Sequence, residues 1–301
     1  MGRALIEGGR QPALLAQAEA QGIDLERLLI SGTADDLRPT EIAQPALFYT
    51  GVALGAVLIE GGLRPMVAAG HSLGEYCAVV VAGSLTPDDG MRLVLERGRL
   101  MAGAPEGTMA AILGLERPVL SVLCAEATAG GECCVIANDN SPGQLVVSGS
   151  VLGVERLSEL ARAAGAKRVV PLNVGGAFHS PLMTDSAAAF AAVLEEVEFA
   201  EPRFPVAAGV SGTLSHTAVE IRTGLRLQLA GPVLWADTVR TMAAAGADHF
   251  IECGPGTTLA GLIRRILPQA KVSSVDSPES ATRQLSEAAQ SGGPAAVKGE
   301  E

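Results

Sequence analysis

Gly70-His71-Ser72-Leu73-Gly74 places a serine in the pattern G-x-S-x-G. Small flanking residues permit a strained strand-to-helix turn that pushes a serine hydroxyl out of a sheet. Such a turn also aims Ser72 at the N-terminus of the following helix. There the positive helix end and the backbone N–H of Leu73 could stabilise an oxyanion formed when the serine attacks a carbonyl. The five-residue pattern also arises by chance, so the competing reading is a structural corner.

A serine hydroxyl is weak at neutral pH and needs a base within hydrogen-bond reach. The chain has four histidines, His71, His179, His216 and His249. Side chains of adjacent residues on a tight turn diverge, which leaves His71 to brace the turn rather than serve Ser72. His216 sits in the loop TLSHT and His249 starts a strand, positions that suit surface or packing roles. His179, in AFHSPLM, is the strongest candidate base. Arg97 lies in the mostly apolar stretch 93–100. Either it faces solvent or a glutamate, the ordinary fate of an arginine, or its fork grips a substrate carboxylate through two parallel hydrogen bonds.

The elements that must hold these groups follow from periodicity. A buried helix is expected over 41–63, a short strand over 65–70 and an apolar helix over 73–85, which puts Ser72 between strand and helix. Asp88 and Asp89 open an amphipathic helix that carries Arg97 and ends before Gly103 and Pro105. From 107 to 172 the order is β-α-β-β-α-β, the split βαβ or ferredoxin-like pattern, read as an insertion. A larger α/β body resumes after it, with strands over 204–210 and 249–256 and a last helix in TTLAGLIRRIL. Alternating strands and helices favour a mostly parallel sheet. The polar, Gly- and Ala-rich stretch 276–301 is expected to be a disordered tail.

Composition narrows the function. The 301 residues are 48% hydrophobic and carry a net charge of −11, without basic and aromatic interleaving, which argues against a nucleic-acid partner. Five cysteines with no CxxC pair indicate neither a disulfide framework nor a zinc site, and suit a reducing cytoplasm. The start, MGRALIEGGRQ, has no apolar signal region, and the uncharged run 42–59 is interrupted by Gln44, Pro45 and Thr50, so no membrane role is expected. Gly51 and Gly55 in that run are read as a site of close helix packing.

Three separate segments, GHSLGEYCA, LERGRLM and GAFHSPLM, together with NSPGQLVVSG and ECGPGTTLAGLIRR, resemble the malonyl-CoA:acyl-carrier-protein transacylase family and the related acyltransferase domains of polyketide synthases. The match runs from about residue 1 to about 275. It implies an α/β hydrolase-like catalytic body, 1–106 and 173–275, carrying a ferredoxin-like subdomain over 107–172. It further implies that Ser72 takes a malonyl group from CoA as an ester and passes it to the phosphopantetheine thiol of acyl carrier protein, with ping-pong kinetics. His179 would act as general base and then general acid, Arg97 would pair with the malonyl carboxylate, and the carbonyl of Gln228 would orient the histidine. Asn140 matches an active-site asparagine, and Leu73 and Phe178 match a malonyl-type pocket in which the phenylalanine leaves no room for an α-methyl group. No metal or cofactor is implied beyond malonyl-CoA as substrate.

The sequence also departs from that family. Its members begin with a strand ending in a motif like FPGQGSQ, whose glutamine N–H is a second oxyanion donor, whereas MGRALIEGG matches the helix after it. The first strand of the family fold is therefore expected to be missing, and loss of one such donor costs about 10² to 10³ in kcat. Gly209 stands where relatives often carry asparagine. The competing functions are an acyl hydrolase or thioesterase of a polyketide pathway, whose relatives typically lack the arginine, and a truncated, weakly active homologue that binds carrier protein. The basic pairs Lys167-Arg168 and Arg264-Arg265 are candidate contacts for an acidic carrier protein.

Overall fold

The structure, a computed structural model, describes residues 2–128 and 131–290. Three short helices, α1 (Arg3–Glu7), α2 (Pro12–Ala20) and α3 (Leu25–Ser31), lead into α4 (Thr40–Glu60). A helix that is apolar on all sides must be covered on all sides. Phe48, Tyr49, Val52 and Leu54 of α4 are accordingly buried in the main core. Among the described residues α4 is long and apolar enough to cross a membrane, yet 67% of its apolar window lies inside the protein.

The chain then forms β1 (Ala68–Ala69), turns at Ser72 into α5 (Gly74–Val81) and continues into α6 (Pro87–Ala102). Gly51 and Gly55 let α4 and α5 approach closely. A Cβ on Gly51 would come 2.9 Å from Cys77 Sγ, and one on Gly55 2.6 Å from a Val81 methyl. The start of α6 is set by Thr86, whose hydroxyl accepts from Asp89 N–H at 3.0 Å, with Pro87 in the first turn.

A four-stranded antiparallel sheet follows. It is built from β2 (Thr108–Leu113), β3 (Cys134–Ser141), β4 (Gln144–Gly149) and β5 (Arg168–Pro171), in the order β3-β4-β2-β5. Two helices, α7 (Arg117–Thr128) and α8 (Val151–Ala163), share a core with Ala110, Ile112, Leu145 and Val147 on one face. Alternate residues Met109 and Val146 face the other way, against Ala137, Val174 and Phe178. β3 carries two register irregularities, at Ile136/Asn138 and Asp139/Ser141. Bulges of this kind bend a strand and re-aim its side chains. Here β3 stays paired with β4 and uses its outer edge to bond residue 233 of the body, with Asp139 N–H to Val233 O at 2.9 Å and Val233 N–H to Ala137 O at 2.8 Å.

The body contains α9 (Thr184–Glu195), β6 (Val206–Ala207), β7 (Leu214–Ser215), α10 (Ala218–Gln228), α11 (Trp235–Ala244), β8 (His249–Cys253), α12 (Thr258–Ile266), β9 (Lys271–Val275) and α13 (Pro278–Gln290). Its sheets are mixed, which corrects the expectation of one mostly parallel sheet. β6 is parallel to β1, but β7 returns antiparallel along β6, and β8 and β9 form a separate parallel pair. The turn after β6, closed by Ala208 N–H to Thr213 O at 2.8 Å, is too short for the crossover that parallel strands require. The expected disordered tail is corrected as well. Within it, α13 packs Ala281 into the main core and sets Leu285 beside Gly61, just after the end of α4. A narrow apolar stripe on an otherwise polar, Ala-rich segment suffices for a docked helix. Residues 291–301 of that stretch lie outside the described residues.

Candidate active site

Ser72 sits between β1 and α5 with φ 50°, in the left-handed region. A non-glycine residue there is uncommon and strained. Gly70 makes the turn possible, because a Cβ at that position would lie 1.8 Å from the Gly74 carbonyl carbon. Gly74 itself has open space where a Cβ would stand, so only the first glycine of the motif is demanded by contact. The Leu73 side chain is buried in the main core, and its backbone N–H stands at the start of α5.

His179 lies in the loop between β5 and α9, also with positive φ, 58°. Its Nε2 is 2.8 Å from Ser72 Oγ. Its Nδ1 is 3.0 Å from Gln228 O and 3.1 Å from Gly231 O. Two carbonyls can only accept, so Nδ1 carries the proton and Nε2 presents its lone pair to the serine hydroxyl. Burial, and then the nearby Arg97 charge, push the His179 pKa down to about 3, which keeps the imidazole neutral.

Arg97 is placed by the apolar stripe of α6. It falls three and four residues after Val94 and Leu93 and four before Met101, all buried, so the helix aims it inward. It is 1% exposed. Nη2 donates to Ser72 Oγ at 2.9 Å and to Gln228 Oε1 at 3.2 Å, and Nη1 donates to Gln44 Oε1 at 2.6 Å. The guanidinium lies 5.6 Å from the centre of the Tyr76 ring. Its Nε has no hydrogen-bond partner. Every acceptor it meets is neutral, and among the described residues it forms no ion pair. A buried cation without an anion is costly unless something else supplies one.

On the other side of Ser72, Asn140 at the end of β3 bonds His71, Oδ1 to Nε2, at 2.8 Å. The His71 ring also leans on Trp235, with centroids 5.7 Å apart. His71 thus braces the turn and makes no bond to Ser72. Phe178 precedes His179 and packs on Gly176 and on both the main core and the apolar face of the β2–β5 sheet. His249 bonds Ser273 at 2.7 Å, away from this cluster. Three participants escaped the sequence reading. In the sequence Gln44 only interrupts an apolar run, Glu75 is one letter of a motif, and the Gly231 carbonyl has no side-chain signal. An acid and an amide inside otherwise apolar helices were the available clues. Gly209, the position without the asparagine, donates its N–H to Glu75 Oε2 at 3.2 Å.

A hydroxyl, a neutral imidazole and an unpaired guanidinium within hydrogen-bond distance of one oxygen are equipped to acylate a serine with an acid-bearing group. The acyl transferase domain family matches residues 13–287. The chain belongs to the acyl transferase family. Two curated members of similar length carry the same name. The malonyl CoA-acyl carrier protein transacylase of Bacillus subtilis (strain 168) is 40% identical over 258 residues, 85% of this chain and 81% of that protein. Its namesake from Escherichia coli (strain K12) is 42% identical over 263 residues, 86% of this chain and 85% of that protein. Among solved acyl transferase structures, a malonyl-transacylase in complex with its type II PKS acyl-carrier protein superposes with a TM-score of 0.88 at 37% identity. The superposition covers 95% of this chain and 94% of that one.

Proposed function

We propose that this chain transfers the malonyl group of malonyl-CoA to the phosphopantetheine thiol of acyl carrier protein, through an ester on Ser72, for fatty acid or polyketide synthesis. Ser72 Oγ attacks the thioester carbonyl while its proton passes to His179 Nε2. The oxyanion is stabilised by the Leu73 N–H at the start of α5. Cleavage of the C–S bond releases CoA, and the proton on Nε2 goes to the departing sulfur. The carrier thiol then gives its proton to Nε2 and attacks the ester, and Ser72 leaves with that proton restored. Gln228 O and Gly231 O hold Nδ1–H throughout. Leu73, Phe178 and Asn140 are assigned to the walls of the acyl pocket, and none of these steps calls for a metal or cofactor.

One observation carries this reading: the Arg97 guanidinium is 1% exposed, forms no ion pair among the described residues and lies 2.9 Å from Ser72 Oγ. A malonyl group brings a carboxylate two carbons beyond the carbonyl under attack, whereas an acetyl group brings none. A hydrolase of plain acyl esters has no use for such a cation. The division into a catalytic body, 1–106 and 173–275, and a ferredoxin-like subdomain, 107–172, is supported by the strand order β3-β4-β2-β5 with both helices on one face. We assign the protein to the cytoplasm. Lys167, Arg168, Arg264 and Arg265 are exposed and are assigned to carrier docking; charge reversal of a pair is expected to raise KM for carrier protein and leave malonyl loading alone.

The test is to incubate the chain with malonyl-CoA or acetyl-CoA and weigh the intact protein. A malonyl adduct, absent in Ser72→Ala, is expected. No adduct, or a preference for acetyl, overturns the reading.

A further inference from the structure

Glu75 follows Ser72 by three residues on α5 and is 2% exposed. Its Oε2 accepts from Gln228 Nε2 at 2.6 Å and from Gly209 N–H at 3.2 Å. Gln228 Nε2 also donates to Ser72 O at 3.0 Å. A primary amide has a donor end and an acceptor end of nearly equal size, and only its neighbours decide which way it points. Here the neighbours are one-sided. A carboxylate oxygen and a carbonyl claim the NH2 end, which leaves Oε1 facing Arg97 Nη2. The reversed amide would set NH2 against a guanidinium and a carbonyl against two acceptors. Gln228 is also the residue whose backbone carbonyl accepts from His179 Nδ1. A single side chain and its own carbonyl therefore serve both Arg97 and His179, and Glu75 is what fastens it.

The room for this arrangement is made by Gly209. A Cβ there would stand 3.1 Å from Glu75 Oε2, closer than a side chain ordinarily tolerates. Glu75 forms no direct hydrogen bond to Arg97, Ser72 Oγ or His179 among the described residues, so it is not part of the reacting set.

We propose that Glu75 is a positioning residue, which fixes the direction of the Gln228 amide and thereby aims Arg97 and seats His179. Burial pushes its carboxyl up to about 7, so the hydrogen bonds it accepts, rather than a full negative charge, are the feature that matters. An amide at position 75 can place its oxygen where Oε2 stands and accept the same two bonds.

The selectivity part of this inference rests on the malonyl-transfer reading, so two readouts are needed. One is the ratio of malonyl to acetyl loading on Ser72. The other is the rate at which a fluorophosphonate labels Ser72, which reports the Ser72–His179 couple whatever the natural acyl donor. In Glu75→Leu the loading ratio is expected to fall about tenfold or more, the value of a hydrogen bond to a charged group, with slower labelling. Glu75→Gln is expected to stay within about threefold of the unaltered chain on both readouts, since its hydrogen bonds are kept. Gly209→Ala, which presses on Oε2 without removing it, is expected to fall between them and to fold even where Glu75→Leu does not. Malonyl and acetyl loading that decline in parallel would show a merely structural residue and overturn the proposal. So would Glu75→Leu or, should it not fold, Gly209→Ala with ordinary ratio and labelling. If the unaltered chain labels at Ser72 but takes no malonyl, the transferase reading fails, and the labelling series alone decides the role of Glu75.

Discussion

Two buried polar clusters flank Ser72, and they are built differently. On one side Arg97, Gln44, Gln228 and Glu75 come from α4, α5, α6 and α10 of the body and surround a cation. On the other side His71, Asn140 and Trp235 are neutral, and the asparagine arrives on a bulged strand of the β2–β5 sheet. The first cluster is cross-linked at every member, but its cation makes no ion pair among the described residues, and its one acid, Glu75, is hydrogen-bonded to Gln228 instead. The second holds one hydrogen bond and a ring contact, carries no charge, and leaves one neutral donor, the Trp235 Nε1–H, without a partner. A buried cation with no ion pair marks the side that waits for substrate, and the absence of charge marks the side that shapes the turn.

The largest expected effect comes from removing the cation. Arg97→Ala should lower kcat/KM for malonyl-CoA by about 10³, the cost of a desolvated charge pair left with one partner, and should change acetyl-CoA loading far less. Equal losses on both donors would erase the distinction between the clusters. The same asymmetry has a stability counterpart. Arg97→Met removes a buried unpaired charge and should raise Tm by several degrees, at about 2–4 °C per kcal/mol for a chain of this size class; a lower Tm would mean that the guanidinium is already satisfied.

pH separates the groups further. Burial and Arg97 hold His179 well below its ordinary value, at about 3, so under acid the unfolded chain takes up a proton that the folded one refuses. Folding stability is then lost as pH falls from about 6.5 toward 3, at up to about 1.4 kcal/mol per unit. Glu75 has the opposite sign. Its carboxyl is raised to about 7, and stability is lost as pH rises from about 4.5 to 7. Denaturation of His179→Gln should show a shallower acid limb than the unaltered chain, and Glu75→Gln a smaller loss on the neutral side. The smallest effect is expected on the neutral cluster, where Asn140→Ala should cost about 1 kcal/mol, or less than tenfold in loading. A loss as large as that of Arg97→Ala would show that the two clusters are equals.

Much of this was legible in the residues, for identifiable reasons. G-x-S-x-G carries its own geometry, since only glycine fits where Gly70 crosses the start of α5. Arg97 could be placed on a helix, but which way it points follows from its register with Leu93, Val94 and Met101, a signal the stretch 93–101 does contain. Partnership across the chain was the illegible part. Gln44 and Arg97 are far apart in sequence and Glu75 and Gln228 farther, and no local pattern announces that they meet. The body strands are shorter than the sequence suggests because apolar runs such as 204–210 extend past the paired residues Val206–Ala207. The segment 278–290 looks disordered in sequence because α13 has too few large apolar residues to advertise its one buried stripe.

Ser72 and His179 are two of the three non-glycine residues with positive φ among those described; Gln11 is the third. Both ends of the 2.8 Å bond that would move the proton therefore sit on main chain held out of its easy basins. A main-chain trace alone, with every side chain erased, would still mark both ends of the proton path by torsion angle. Sequence drift that preserved this skeleton but changed the acyl specificity would leave that mark in place, so the backbone records the site of chemistry separately from the choice of substrate.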